Sequence, residues 1–171
     1  FGLGPIGLLI VEALRAAGAS KIYAVELSPE RQAKAEELGA IVVRPEEGET
    51  VVEAIHRLTG GGADVSYEVT GVPVVLGHAL AAVHKAGECM VVSIWEREAS
   101  INPNEFAIQE KSLKGIIAYR HIFPKVLELM EQGYFSAEKL VTKKIKLENI
   151  VEEGFVELTQ DKAQIKILVE P

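Results

Sequence analysis

The sequence predicts an α/β domain built on a doubly wound parallel sheet, and three observations carry that prediction. Apolar β-type runs alternate with helical runs along nearly the whole chain. The strand-like Phe1 passes through Gly2-Leu3-Gly4-Pro5-Ile6-Gly7 directly into a helical segment, and the next β-type run closes on an acidic residue, Glu26. Alternation at these lengths marks βαβ units, whose crossover helices cover both faces of a parallel sheet.

Each element has its own local reason. Pro5 to Gly18 is the first helix, and Pro5 suits its first turn because the missing N–H would have had no intrahelical acceptor. Lys21 to Glu26, β-branched and aromatic, is a strand; Pro29 to Gly39 is a helix that Ser28 caps and Gly39 stops. Ile41 to Val43 is a short strand, and Thr50 to Thr59 a helix ending in Gly60-Gly61-Gly62. Asp64 to Val69 is a strand broken at Thr70-Gly71, Val74 to Lys85 a helix, and Glu88 to Trp95 a near-continuous apolar strand of the kind buried on both faces. Leu113 to Tyr119 is a further strand, and His121 to Gln132 a helix with Pro124 in its first turn. Val141 to Leu147, alternating polar and apolar, is a strand, followed by the helix Ile150 to Leu158 and the strand Ile165 to Val169.

Composition excludes several classes. The 171 residues suffice for one domain with a sizeable core, and the net charge of −7 speaks against a nucleic-acid or anionic-membrane surface. No run is long enough to span a membrane. The single cysteine, Cys89, lies inside an apolar strand and reads as a core residue, so no disulfide framework or cysteine-based zinc cluster is expected, and a cytoplasmic setting fits. The four histidines, His56, His78, His84 and His121, lack the spacing of a metal site and read as surface or boundary residues.

In a doubly wound sheet, ligands lie at the carboxyl ends of the strands. The G-x-G-x-x-G turn, a following helix and an acidic residue at the end of the second strand together form a dinucleotide fingerprint. Gly2 allows the tight turn, Gly4 lets backbone approach a pyrophosphate, and Gly7 lets the helix pack closely, while Pro5 and Ile6 present the helix N-terminus to the phosphates. Glu26 is placed to accept the adenosine ribose hydroxyls and would repel a 2′-phosphate, which selects NAD over NADP. Arg31 either stacks on adenine or lies solvated on its helix. Val69 and Thr70, with Val92, Ser93 and Ile94, flank the nicotinamide half, although Thr70-Gly71 is equally an ordinary strand-to-helix turn and Ser93 shares that ambiguity. The first strand belongs centrally, between those beginning at Lys21 and Asp64, and only Phe1 of it is present. Either residues outside this sequence complete the sheet or the fragment is compromised.

Gly2 to Gly7, Glu26-Leu27-Ser28 with Arg31, Glu68-Val69-Thr70-Gly71, and Lys114-Gly115 leading into Tyr119-Arg120 resemble the coenzyme (Rossmann) domain of zinc-dependent medium-chain dehydrogenases. The tail from Tyr119 to Val169 looks most like the (R,R)-butanediol dehydrogenase branch of that family, with the sorbitol dehydrogenases close behind. The resemblance implies residues 1–140 as the NAD-binding domain and 141–171 as a segment returning toward a catalytic domain outside this sequence. It implies hydride transfer between NAD and a secondary alcohol or ketone, with the catalytic zinc held by that other domain, so this fragment alone is expected to be inactive and to bind no metal. It also implies coenzyme contact by Arg120, for which a solvated helix-start arginine is the equal alternative. Apolar Ile145, Leu147, Phe155 and Leu158 point to association, read as a homo-oligomer. Two other classes share parts of this pattern: a methyltransferase, which the missing Asn/Asp-Pro-Pro-aromatic segment disfavours, and a non-catalytic NAD(H) sensor, which stays open.

Overall fold

The computed structural model describes residues 1–135, 137–161 and 163–171. Its elements run α1 (Pro5–Ala16), β1 (Tyr23–Ala24), α2 (Pro29–Glu37), β2 (Ile41–Val42), α3 (Val51–Thr59), β3 (Ala63–Glu68), α4 (Pro73–Ala81) and β4 (Val83–Val91). They continue through α5 (Asn104–Ala107), β5 (Ser112–Gly115), α6 (Phe123–Glu131), α7 (Ala137–Leu140), β6 (Val141–Lys146), α8 (Glu157–Gln160) and β7 (Lys166–Glu170). Two compact units result: Phe1–Gly2, Tyr23–Val25 and Val42–Tyr119 form the first, and Leu3–Ile22, Glu26–Ile41 and Arg120–Pro171 the second.

In the first unit, β3, β4 and β5 form a parallel sheet in that order, as the alternating sequence requires. α3 begins at a reciprocal cap: the Thr50 hydroxyl accepts the Glu53 N–H at 3.2 Å, and the Glu53 carboxylate accepts the Thr50 N–H at 2.8 Å. Two apolar clusters fill the interior, one around Ala54 and Ile55 and one around Leu80 and Cys89, and Phe1 packs against both. Phe1 donates to the Tyr67 carbonyl at 2.9 Å and accepts from Val69 at 3.0 Å, while Gly2 donates to Val25 at 2.9 Å. These two residues therefore stand where the sequence puts the central first strand, bonded on both sides.

Four sequence boundaries are corrected here. The helix expected over Val74 to Lys85 ends at Ala81, because the Ala82 N–H closes the last turn on His78 and Val83, 1% exposed, is already paired with Ala63. The strand expected over Glu88 to Trp95 starts earlier and ends at Val91. Val92 makes one more rung, to the Glu68 carbonyl at 2.9 Å, and the chain then turns away. The strand expected over Leu113 to Tyr119 stops at Gly115, and Ala118 turns the backbone at φ 51. The strand expected over Lys21 to Glu26 contracts to Tyr23–Ala24, since Leu27 and Ser28 fold their N–H groups back onto the Glu26 carboxylate.

In the second unit, α1 and α2 lie in contact, with Leu8 and Leu38 fully buried, and the Arg15 guanidinium donates to the Leu38 carbonyl at 2.7 Å, capping α2. β6 and β7 pair in parallel. The helix expected over Ile150 to Leu158 opens as a wider π-type turn over Ile150–Val156 before α8, and Gly154 admits the buried Ile145 side chain. The single-turn helices α5 and α7 were not foreseen.

Candidate functional site

The glycine turn builds a helix N-terminus with nothing of its own to cap it. Gly4 is the N-cap residue of α1, Pro5 occupies the first turn, no side chain caps it, and no acidic residue lies in that turn. The first N–H groups of a helix have no intrahelical acceptor and carry the positive end of its dipole. Gly4 has an ordinary extended conformation, φ −65 and ψ −174, and a Cβ added there would meet nothing within 4 Å. Neither backbone strain nor packing within the chain requires glycine at this position. The open space in front of Gly4 is what a close-approaching phosphate needs. Ile6 is exposed and Gly7 buried.

Glu26 faces this turn within the second unit. Its carboxylate accepts from the N–H of Leu3 at 2.9 Å, Leu27 at 2.7 Å and Ser28 at 3.1 Å. Arg31, at the start of α2, brings its guanidinium to 4.0 Å and has a buried Nε with no hydrogen-bond partner. Burial alone would raise the Glu26 pKa, but the amides of Ser28, Leu3 and Leu27, together with Arg31, outweigh it and hold the carboxyl below the ordinary carboxylate range. Glu26 is thus a fixed anion, and its two oxygens together have lone pairs for further donors. The Ser28 hydroxyl accepts the Arg31 N–H, the cap expected from sequence.

The other candidate residues, Arg120 apart, belong to the first unit. Gly2, at φ +92, is crowded: a Cβ there would lie 2.7 Å from the Thr70 methyl and 3.3 Å from the Val69 backbone. Val69 and Thr70 follow β3, and Val92, Ser93 and Ile94 follow β4. Gly71, at φ +70, passes so close to Ile94 that a Cβ would stand 2.8 Å from its carbonyl oxygen. The sequence reading missed what joins these loops, the fully buried Glu68. One of its oxygens accepts from the Thr70 N–H at 2.7 Å, the Thr70 hydroxyl at 2.5 Å and the Gly71 N–H at 3.0 Å, and the other accepts from the Ser93 hydroxyl. A signal for it existed, since a glutamate ending a strand just before a turn repeats the pattern of Glu26. Arg120 is exposed, ahead of α6 in the second unit.

Among the described residues no group of three or more His, Cys, Asp and Glu side chains could hold a metal ion, His56 faces the Ala81 carbonyl, and His84 pairs with Asp64. Among the described residues no helix is long and apolar enough to cross a membrane.

A family model described as "Zinc-binding dehydrogenase" matches residues 5–132. The chain belongs to the zinc-binding dehydrogenase family. It is 63% identical over its whole length to a (R,R)-butanediol dehydrogenase of Bacillus subtilis and 33% identical, over 86% of its length, to a sorbitol dehydrogenase of the same organism. The crystal structure of 2R,3R-butanediol dehydrogenase from Bacillus subtilis superposes with a TM-score of 0.95 at 62% identity, covering all of this chain and 49% of that one. The parallel α/β architecture is therefore that of alcohol dehydrogenases in this family. The chain spans about half the length of the curated relatives it matches, 49% of the butanediol dehydrogenase and 42% of the sorbitol dehydrogenase.

Proposed function

We propose that this zinc-binding dehydrogenase chain is the NAD(H)-binding part of an alcohol or polyol dehydrogenase that moves hydride between NAD and a secondary alcohol such as 2,3-butanediol. The observation that carries the reading is the uncapped, open N-terminus of α1 beside the fixed Glu26 anion: a site for a pyrophosphate next to a site for ribose hydroxyls. Similarity over the full chain to a butanediol dehydrogenase supports the substrate class.

In this reading Gly2 shapes the turn, Gly4, Ile6 and Gly7 present backbone N–H groups and open space to the phosphates, and Pro5 starts the helix whose N-terminus faces them. Glu26 holds the adenosine ribose, and Arg31, already drawn toward it, flanks the adenine. Val69, Thr70, Val92, Ser93 and Ile94 border the nicotinamide half, and Arg120 contacts the coenzyme. NAD, when bound, supplies the hydride acceptor; this chain orients it and excludes water around it. Zinc ligation is assigned to the part of the enzyme outside this sequence. Residues 1–140 form the coenzyme domain, and 141–171 pack toward the catalytic part. The net charge of −7 supports a protein without nucleic-acid partners. The exposed apolar Leu147, Phe155 and Leu158 support a homo-oligomer, and the lone buried cysteine supports a cytoplasmic enzyme.

Calorimetric titration of the chain with NADH and with NADPH tests the reading. Selective binding of NADH is expected. Equal affinity for the two would remove the role given to Glu26, and no affinity for either would remove the site.

A further inference from the structure

Glu68 is a fully buried carboxyl group of the first unit, and the groups that hydrogen-bond to it all donate. It ends β3 with no exposed surface. Both backbone N–H groups that reach it, from Thr70 and Gly71, can only donate; the Thr70 hydroxyl joins them on one oxygen and the Ser93 hydroxyl takes the other. A carboxylate accepts all four. The Thr70 hydroxyl in turn accepts the Val72 N–H at 3.1 Å, carrying the order into the start of α4. The loop after β3 and the loop after β4 are thereby tied to one point, and Gly71 lies so close to the Ile94 carbonyl that a side chain there would collide with it. A buried charge is costly unless it is fully hydrogen-bonded, and a turn can be held by neutral groups, so the charge calls for a function.

We propose that Glu68 is a positioning residue that sets the Thr70 and Ser93 loops as a preformed wall for the nicotinamide half of the coenzyme, and that its buried charge favours the cationic oxidised ring over the neutral reduced one. The proposal rests on the coenzyme reading above. It goes further in assigning a redox-state preference to a residue that touches no ligand. Neither backbone turn geometry nor general stability would produce such a preference.

Two variants separate shape from charge. In Glu68→Gln the amide oxygen can keep the three donors of the Thr70-Gly71 turn, while the amide NH2 donates to a Ser93 hydroxyl that rotates to accept it. Shape survives and charge is lost. Glu68→Ala removes both. Ser93→Ala, in which the carboxylate stays, serves as a third variant where Glu68→Ala does not fold. Affinities of the whole chain for ADP-ribose, NAD+ and NADH are measured by calorimetry, with NADH fluorescence enhancement as the signature of an ordered nicotinamide.

ADP-ribose, which lacks the nicotinamide, is expected to bind all variants within about threefold of the parent chain. Glu68→Gln is expected to keep its NADH affinity and lose about tenfold in NAD+ affinity, as one charge acting through a partly dry protein would produce. Glu68→Ala and Ser93→Ala are expected to weaken both nicotinamide forms and diminish the fluorescence enhancement. An unchanged NAD+ to NADH affinity ratio in Glu68→Gln overturns the proposal. So does a loss of ADP-ribose binding in Glu68→Ala or Ser93→Ala equal to the loss of NADH binding, which would make the network a general folding element. Failure of the parent chain to bind ADP-ribose would instead overturn the coenzyme reading itself, and the proposal with it.

Discussion

Replacing Glu26 by alanine should damage coenzyme binding and coenzyme choice by amounts the structure lets one work out. The carboxylate holds three N–H groups, those of Leu3, Leu27 and Ser28, at 2.9, 2.7 and 3.1 Å. Leu3 is only 3% exposed, so its N–H loses its acceptor in a dry place, at a cost to stability of about 1–3 kcal/mol. In a chain of 171 residues that lowers the melting temperature by very roughly 2–12 °C. Losing the charge-assisted bonds to the ribose hydroxyls should weaken NADH by about 2–3 kcal/mol, a factor of roughly 30 to 150. For NADPH the sign reverses: a 2′-phosphate about 5 Å from the carboxylate is repelled by about 3 kcal/mol per charge at an effective dielectric near 20, and that penalty disappears. The NADH to NADPH affinity ratio should therefore fall by at least about a hundredfold. Calorimetric titration at 25 °C with both coenzymes reads the ratio directly, and a melting curve separates it from the stability loss. Because the carboxyl is held below the ordinary carboxylate range, Glu26 stays charged from about pH 5 upward, and the parent ratio should change only as the 2′-phosphate takes up its second charge near pH 6. A Glu26→Ala chain that keeps the parent ratio would refute the reasoning.

Gly2→Ala and Gly4→Ala should have opposite effects. At Gly2 the added methyl meets the Thr70 methyl at 2.7 Å on a left-handed backbone, costing about 2 kcal/mol or more in thermal unfolding. At Gly4 it meets nothing, so melting should be unchanged while NADH affinity falls by tenfold or more; a Gly4→Ala chain binding NADH normally would dismiss the phosphate role. The Glu49 carboxyl, held down to about 2 by side-chain hydrogen bonds from Arg57 and then by the Glu46 N–H, stabilises the fold above its unfolded pKa of about 4.5. That contribution is lost as pH falls toward 2, so the melting temperatures of the parent and an Arg57→Gln chain should differ at pH 7 and converge near pH 2. A gap that persists at pH 2 would show that the pair does not work through the Glu49 charge.

Local chemistry made much of this fold legible. Ser28 caps the helix the sequence assigned it, Pro5 and Pro124 lie in first turns, and the sheet over β3, β4 and β5 is parallel as the alternation of strand and helix demands. Boundaries failed where an apolar run could serve two periods. Val83, His84 and Lys85 continue the helical pattern of α4, yet Val83 pairs with Ala63, a partner that no local window contains. Val92 to Trp95 have strand composition but leave the sheet because Ser93 is drawn to Glu68, again a contact across sequence. Periodicity reports which residues avoid water; it does not report which long-range partner claims them.

Two glutamates that follow or end strands show the same limit from the functional side. Glu26 lies two residues past β1 and Glu68 ends β3, and each folds a following turn onto its carboxylate, Leu27-Ser28 in one case and Thr70-Gly71 in the other. Sequence singled out the first because the spacing from the glycine turn gave it a ligand to bind, and passed over the second because no ligand group called for it. In the folded chain the local chemistry is the same, but the exposure differs. Glu26 keeps part of its surface open beside an uncapped helix, while Glu68 has none and spends its second oxygen on Ser93. An anion with open surface can accept hydroxyls from outside. One that is sealed acts only through the loops it holds and through its field, which grows as the dielectric around it falls. On the proposed reading the same residue type at the end of a β-type run therefore serves as a contact in one loop and as a positioning group in the other, and burial decides which.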